Sequence, residues 1–133
     1  MEFVQVIAHY LDEGVKDDSE RIIIQCGIDP HRRFISEGEW YGVVQSGGVS
    51  WPVNFKNDGE MIYGDKAFTS HSTNLRSVLI NTGKIIKVFP SKEDVGGDVQ
   101  RYCITRIKFF QSPHHREFIE AEWNNYNKPS WRK

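Results

Sequence analysis

The chain has no apolar run longer than four residues. A helix that crosses a bilayer needs about 20, so no membrane-spanning helix is expected. Residues 1–11 also lack the basic-then-apolar pattern of a secretory signal, which favours a cytoplasmic location. Cysteine is scarce, and Cys26 and Cys103 both sit inside strand-like apolar runs. That reads as two buried thiols rather than a disulfide framework. There is no phosphate-cradling glycine loop and no glycine-flanked nucleophile. The five histidines do not show the short spacings of a metal site. His114 and His115 are adjacent and would diverge on a helix, and Asp29-x-His31 stands alone. No metal and no cofactor are expected. Glu37 and Glu39 share a strand face and read as surface charge.

A net charge of −1 over 133 residues removes any whole-molecule attraction to nucleic acid. The charge is unevenly spread, however. Residues 1–31 carry seven acidic and two basic side chains, whereas residues 74–110 carry seven basic and three acidic ones. Trp40, Tyr41 and Trp51, interleaved with Arg32 and Arg33, offer a stacking surface for nucleic acid. The pI of about 6.5 argues against that use.

What is present is β-pattern. Phe3–Leu11 alternates, with Val4, Val6, Ala8 and Tyr10 on one face and Gln5 and His9 on the other. Asp12–Ser19 reads as an acidic loop. Arg21–Cys26 is a β-branched run that suggests burial on both faces. Residues 38–64 read as a meander, with Pro52 at an edge or a bulge and a tight turn at Asn57-Asp58-Gly59. Leu75–Ile80, Lys84–Phe89 and Arg101–Phe110 read as three further strands. The apolar phase changes between Ile104 and Ile107, which predicts a bulge near Thr105-Arg106. Ser112-Pro113 is a helix-start signal, and Ile119, Trp123 and Tyr126 at helical spacing, widened by Phe118, predict an amphipathic helix over 113–126.

The fold expected is α+β but mostly β. It is a small antiparallel barrel or sandwich of seven to eight short strands, closed by one C-terminal helix. The length favours a single domain over 1–133, with a β-rich part over 1–110 and a tail over 127–133.

The most site-like stretch is Phe68–Arg76. Ser70, His71, Thr73 and Asn74 supply hydroxyls, an imidazole and an amide, and Arg76 supplies a guanidinium suited to a carboxylate or phosphate. Trp40, Tyr41 and Arg106 complete the candidate surface. With no catalytic constellation in sight, the sequence favours a non-enzymatic binding or inhibitor protein, of the kind found among immunity and counter-defence factors. It would hold a partner protein or a small anionic ligand such as a nucleotide. The competing reading is a small metal-independent RNA- or nucleotide-processing enzyme centred on His71, with Arg76 and His31 or His9. Homo-oligomerisation through strand edges is a third option.

Overall fold

The computed structural model describes residues 1–64, 71–91 and 96–110. Eight strands form one closed antiparallel barrel, each paired with its neighbours in sequence order and the last with the first. They are β1 (Glu2–Asp12), β2 (Val15–Ile28), β3 (Trp40–Ser46), β4 (Val49–Phe55), β5 (Glu60–Tyr63), β6 (His71–Thr73), β7 (Ile85–Phe89) and β8 (Gln100–Phe109). Of the two architectures expected, the barrel is the one adopted. Closure gives every strand a neighbour on both sides, although β4 meets β5 only over Val53–Phe55 and β6 meets each neighbour over two residue pairs.

Alternation along each strand sets the interior. Val4, Val6 and Ala8 of β1 pair with Cys26, Ile24 and Ile22 of β2, and all six are buried. The inward row continues through Gly42 and Val44 of β3 to Val53 and Trp51 of β4. Phe55, Met61, Ile86, Val88 and Ile104 fill the middle. Gly42 has a specific reason to be glycine. A Cβ there would collide with the Ile23 carbonyl oxygen and lie 3.1 Å from the Ile24 Cα.

Odd and even connections fall at opposite ends. One end, the base, is sealed by residues 29–39 and by the connection after β6. Leu75–Ser77 forms a 3-10 turn, and Leu75, Val78, Ile80 and Ile35 are buried against Ile28 and Phe55. Two arginines hold this seal. Arg33 donates from Nε and Nη2 to the Ile80 carbonyl at 3.3 and 3.1 Å. Arg76 donates to the carbonyls of Ser36 (2.7 Å), Gly38, Lys56 (3.2 Å) and Phe55 (3.4 Å). The other end, the mouth, carries the β1–β2 and β3–β4 hairpins, the last residues of β5 and β7 and the first residues of β6 and β8.

Several local expectations hold. The inward face of β1 is as read, and the Asn57-Asp58-Gly59 turn closes with Gly59 N–H donating to the Lys56 carbonyl at 3.0 Å. The β1–β8 register shifts where Ile7 faces Arg106 and Ala8 faces Ile104, which leaves Thr105 as the extra residue. Others change. The acidic stretch after β1 is not a loop: Asp12 pairs with Val15, and the hairpin turns on Glu13-Gly14. Arg21–Cys26 is buried on one face only, because β2 alternates once its outer side meets solvent. Pro52 pairs in register with Val43 and makes no bulge. Its carbonyl accepts from Gly64 N–H at 3.1 Å, so its donorless nitrogen faces the spot where β5 has ended. Leu75–Ile80 is the base plug rather than a strand, and the strand lies just before it, at His71–Thr73. The helix expected over 113–126 lies outside the described residues.

Cys26 and Cys103 are both free. Cys26 points inward opposite Val4, and Cys103 lies on the outer face opposite His9. Burial pushes the Cys26 thiol up to about 12, against the smaller opposing pull of Arg76.

Candidate functional site at the barrel mouth

The inward face changes character along the barrel. From the base to the middle it is apolar, with Phe55 and Met61 set among aliphatic side chains. At the mouth ends of the strands the same inward positions hold Tyr10, Tyr63, His71, Gln100 and Tyr102. Register brings them together: Tyr10 pairs with Tyr102, Ile86 with Tyr102 and Val88 with Gln100, and Met61 with His71.

Two aromatic pairs organise the cluster. The Tyr10 and Tyr102 rings lie 5.6 Å apart at 53°. Tyr63 Oη and His71 Nδ1 are 2.8 Å apart, with their rings edge to face at 5.4 Å. Such ring geometries are favoured beyond area burial alone. Tyr102 Oη donates a long bond to Gln100 Oε1 at 3.4 Å. This occupies the amide oxygen of Gln100 and directs its NH₂ elsewhere. Burial raises the Tyr102 phenol well above its ordinary range, and Tyr63, Glu20 and Tyr10 add to the rise. Burial alone raises Tyr63. Both phenols are therefore neutral hydrogen-bonding groups at physiological pH. On the β2–β3 side of the mouth, Ser46 Oγ donates to Glu20 Oε1 at 2.6 Å.

A recess of about 340 Å³ opens here, with Tyr10, His71, Val88, Pro90, Asp98 and Gln100 in its walls. A second cleft of about 550 Å³ adjoins it and shares Tyr10 and Asp98. It extends under the β1–β2 hairpin to Asp12, Glu13 and Arg101. The hairpin is set off from the barrel wall by a register break. His9 pairs with Arg21 and Tyr10 with Asp17, so Asp18, Ser19 and Glu20 are bulged out.

Of the residues singled out from sequence, His71 alone lies in this cluster. Thr73 is buried in the wall, where its Oγ1 accepts from Leu75 N–H at 3.2 Å. The Asn74 side-chain oxygen accepts from Lys87 N–H at 2.7 Å. Trp40 and Arg76 are at the base, where Trp40 Nε1 donates to the Ser36 carbonyl at 2.9 Å. Tyr41 stands 65% exposed on the outer wall, and Arg106 is exposed beside the β8 bulge. Ser70 lies outside the described residues. The structure therefore does not gather the seven described ones into one surface. It also keeps the other groups of the enzymatic reading away from His71. His31 is in the base connection, beside Asp29, whose Oδ1 accepts the His31 and Arg32 N–H groups at 2.8 and 3.1 Å. His9 is on the outer wall, 2.8 Å from Thr105 Oγ1. Among the described residues no three His, Cys, Asp or Glu side chains converge as a metal site would require.

Tyr10, Tyr63, Gln100 and Tyr102 were not singled out by the sequence reading. The signal is present: each is a polar or phenolic residue continuing, at the mouth end, the inward phase of a strand whose deeper inward residues are apolar. No family model matches this chain, and no curated protein or solved structure matches it either.

Proposed function

We propose that the protein is a non-enzymatic binding protein that holds one small molecule in the barrel mouth. The observation that carries this reading is the switch of the inward face from apolar side chains to phenolic, imidazole and amide ones, at the end where a recess of about 340 Å³ opens. An eight-stranded barrel has room inside for side chains or for one small ligand. Here apolar side chains fill the base half, and the mouth half supplies the ligand space. Small-molecule sites combine apolar walls with a few polar groups that fix orientation. Tyr10, Val88 and Pro90 provide the first, and His71 and the Gln100 amide provide the second.

The sequence pointed to an anion because of Arg76. That guanidinium faces four backbone carbonyls at the base, away from the mouth. The reading supported here is a ring-bearing ligand that packs on Tyr10 and hydrogen-bonds to Gln100.

Saturation-transfer NMR against a panel of small ring compounds tests this. Binders are expected to compete for a single site and to be lost in the double variant Tyr10→Ala/Gln100→Ala. Tyr41→Ala, on the outer wall, is expected to leave them in place. Binders that are indifferent to the double variant would place the site elsewhere.

A further inference from the structure

We infer that the ligand of the mouth is an organic cation, an ammonium or guanidinium group carried on a flat apolar body. This rests on the binding reading above and adds the charge of what is bound. The recess and the adjoining cleft share Tyr10 and Asp98 as walls, so a molecule longer than one ring reaches from one into the other. The inner walls are flat and apolar at Tyr10, Val88 and Pro90. The outer walls carry Asp12 and Glu13 on the hairpin together with Asp98, and Arg101 is the one cation among the described lining residues.

The pairing of acidic side chains on this hairpin is divided. Those outside the cleft have partners. Asp17 accepts from Ser19 Oγ at 2.7 Å, Asp18 faces Lys16 Nζ at 3.5 Å, and Glu20 accepts from Ser46. The three in the cleft walls do not. Among the described residues Asp12, Glu13 and Asp98 make neither an ion pair nor a side-chain hydrogen bond. Like charges gathered in a concave site create a field that attracts cations and repels anions. Tyr10, which lines both spaces, is an aromatic residue of the kind that can add a cation–π contact. Among the described residues no three side chains converge as metal ligands, so we assign the complementary charge to an organic group.

The test uses three probes with one ring system and three charges: tryptamine, tryptophol and indole-3-acetate. Each is titrated calorimetrically into the full chain at about 20 mM and about 300 mM salt, conditions that bracket strong and weak screening. At low salt tryptamine is expected to bind about tenfold tighter than tryptophol, the sum of an exposed ion pair and a cation–π contact. Indole-3-acetate is expected to be the weakest, and high salt to shrink the tryptamine advantage. Asp98→Asn is expected to lower the tryptamine-to-tryptophol affinity ratio. Equal binding of all three probes, abolished by Tyr10→Ala, overturns the charge inference and leaves the mouth reading standing. A preference for indole-3-acetate also overturns it. Binding of none of them overturns both.

Discussion

The Arg76 guanidinium donates to the Ser36 carbonyl at 2.7 Å, across 40 residues of sequence. The same side chain reaches Gly38, Phe55 and Lys56, so one arginine ties the connection after β2 and the β4–β5 turn to the base plug. Hydrogen bonds to charged groups contribute about 1.5–3 kcal/mol, and carbonyls left without a donor add to the loss. Arg76→Ala should therefore lower the unfolding free energy by about 3 kcal/mol, read by urea denaturation. Arg76→Lys should recover only part of it, because an ammonium cannot reproduce the planar fork. Neither change should alter ligand affinity at the mouth in protein that remains folded.

At Gly42 the backbone of β3 lies close against that of β2. Its missing Cβ would strike the Ile23 carbonyl oxygen, which is backbone and cannot swing aside. Gly42→Ala should cost about 2–3 kcal/mol, the upper part of the range for overpacking. Gly64→Ala is the control. A methyl there meets nothing nearer than Pro52 Cβ at 3.8 Å, and its effect should stay within about 0.5 kcal/mol. Equal losses at the two sites would contradict the close approach.

The buried phenols should be visible by alkaline titration. Burial holds Tyr63 and Tyr102 protonated beyond the ordinary value of 10.0. Their absorbance change at about 295 nm should come late and coincide with unfolding. Tyr63→Phe and Tyr102→Phe should each remove one part of the late step. The sign for stability follows from proton binding. Above pH 10 the unfolded chain releases these protons more readily than the folded one, so stability falls as pH rises.

His9 makes the opposite linkage in acid. Burial, then Lys16, lower its pKa from the ordinary 6.5. Asp18 opposes them, and Arg21 lowers it further. The unfolded chain therefore takes up this proton first. Stability should decline as pH falls below 6.5 and level off once the folded-state pKa is passed. Asp17, Asp29 and Glu39, whose pKa values are lowered, lose their contribution only at more acid pH. Urea unfolding between about pH 7.5 and pH 5 should show the slope in the parent chain and a flatter one in His9→Gln.

Much of the wall was legible because it is local. The inward set of β1, the Asn57-Asp58-Gly59 turn and the Thr105 bulge follow from alternation, turn chemistry and a phase change. Leu75–Ile80 was misread for a physical reason. A buried plug and a buried strand draw on the same apolar residues, and only the barrel's need for a seal separates them. The candidate site was the least legible part. Tyr10 and Tyr102 meet through β1–β8 closure, which spans nearly the whole described chain. Arg76 looked like an anion ligand because its partners are carbonyls, and every residue carries one of those.

Backbone amide mapping tests the mouth site most directly. In ¹H–¹⁵N spectra of the full chain titrated with tryptophol and with tryptamine, shifts should concentrate at residues 9–14, 63–64, 71, 88–90 and 98–102. Shifts centred on the base, at residues 33–38, 55–60 and 75–83, or no shift with either compound, would contradict a ligand site at the mouth.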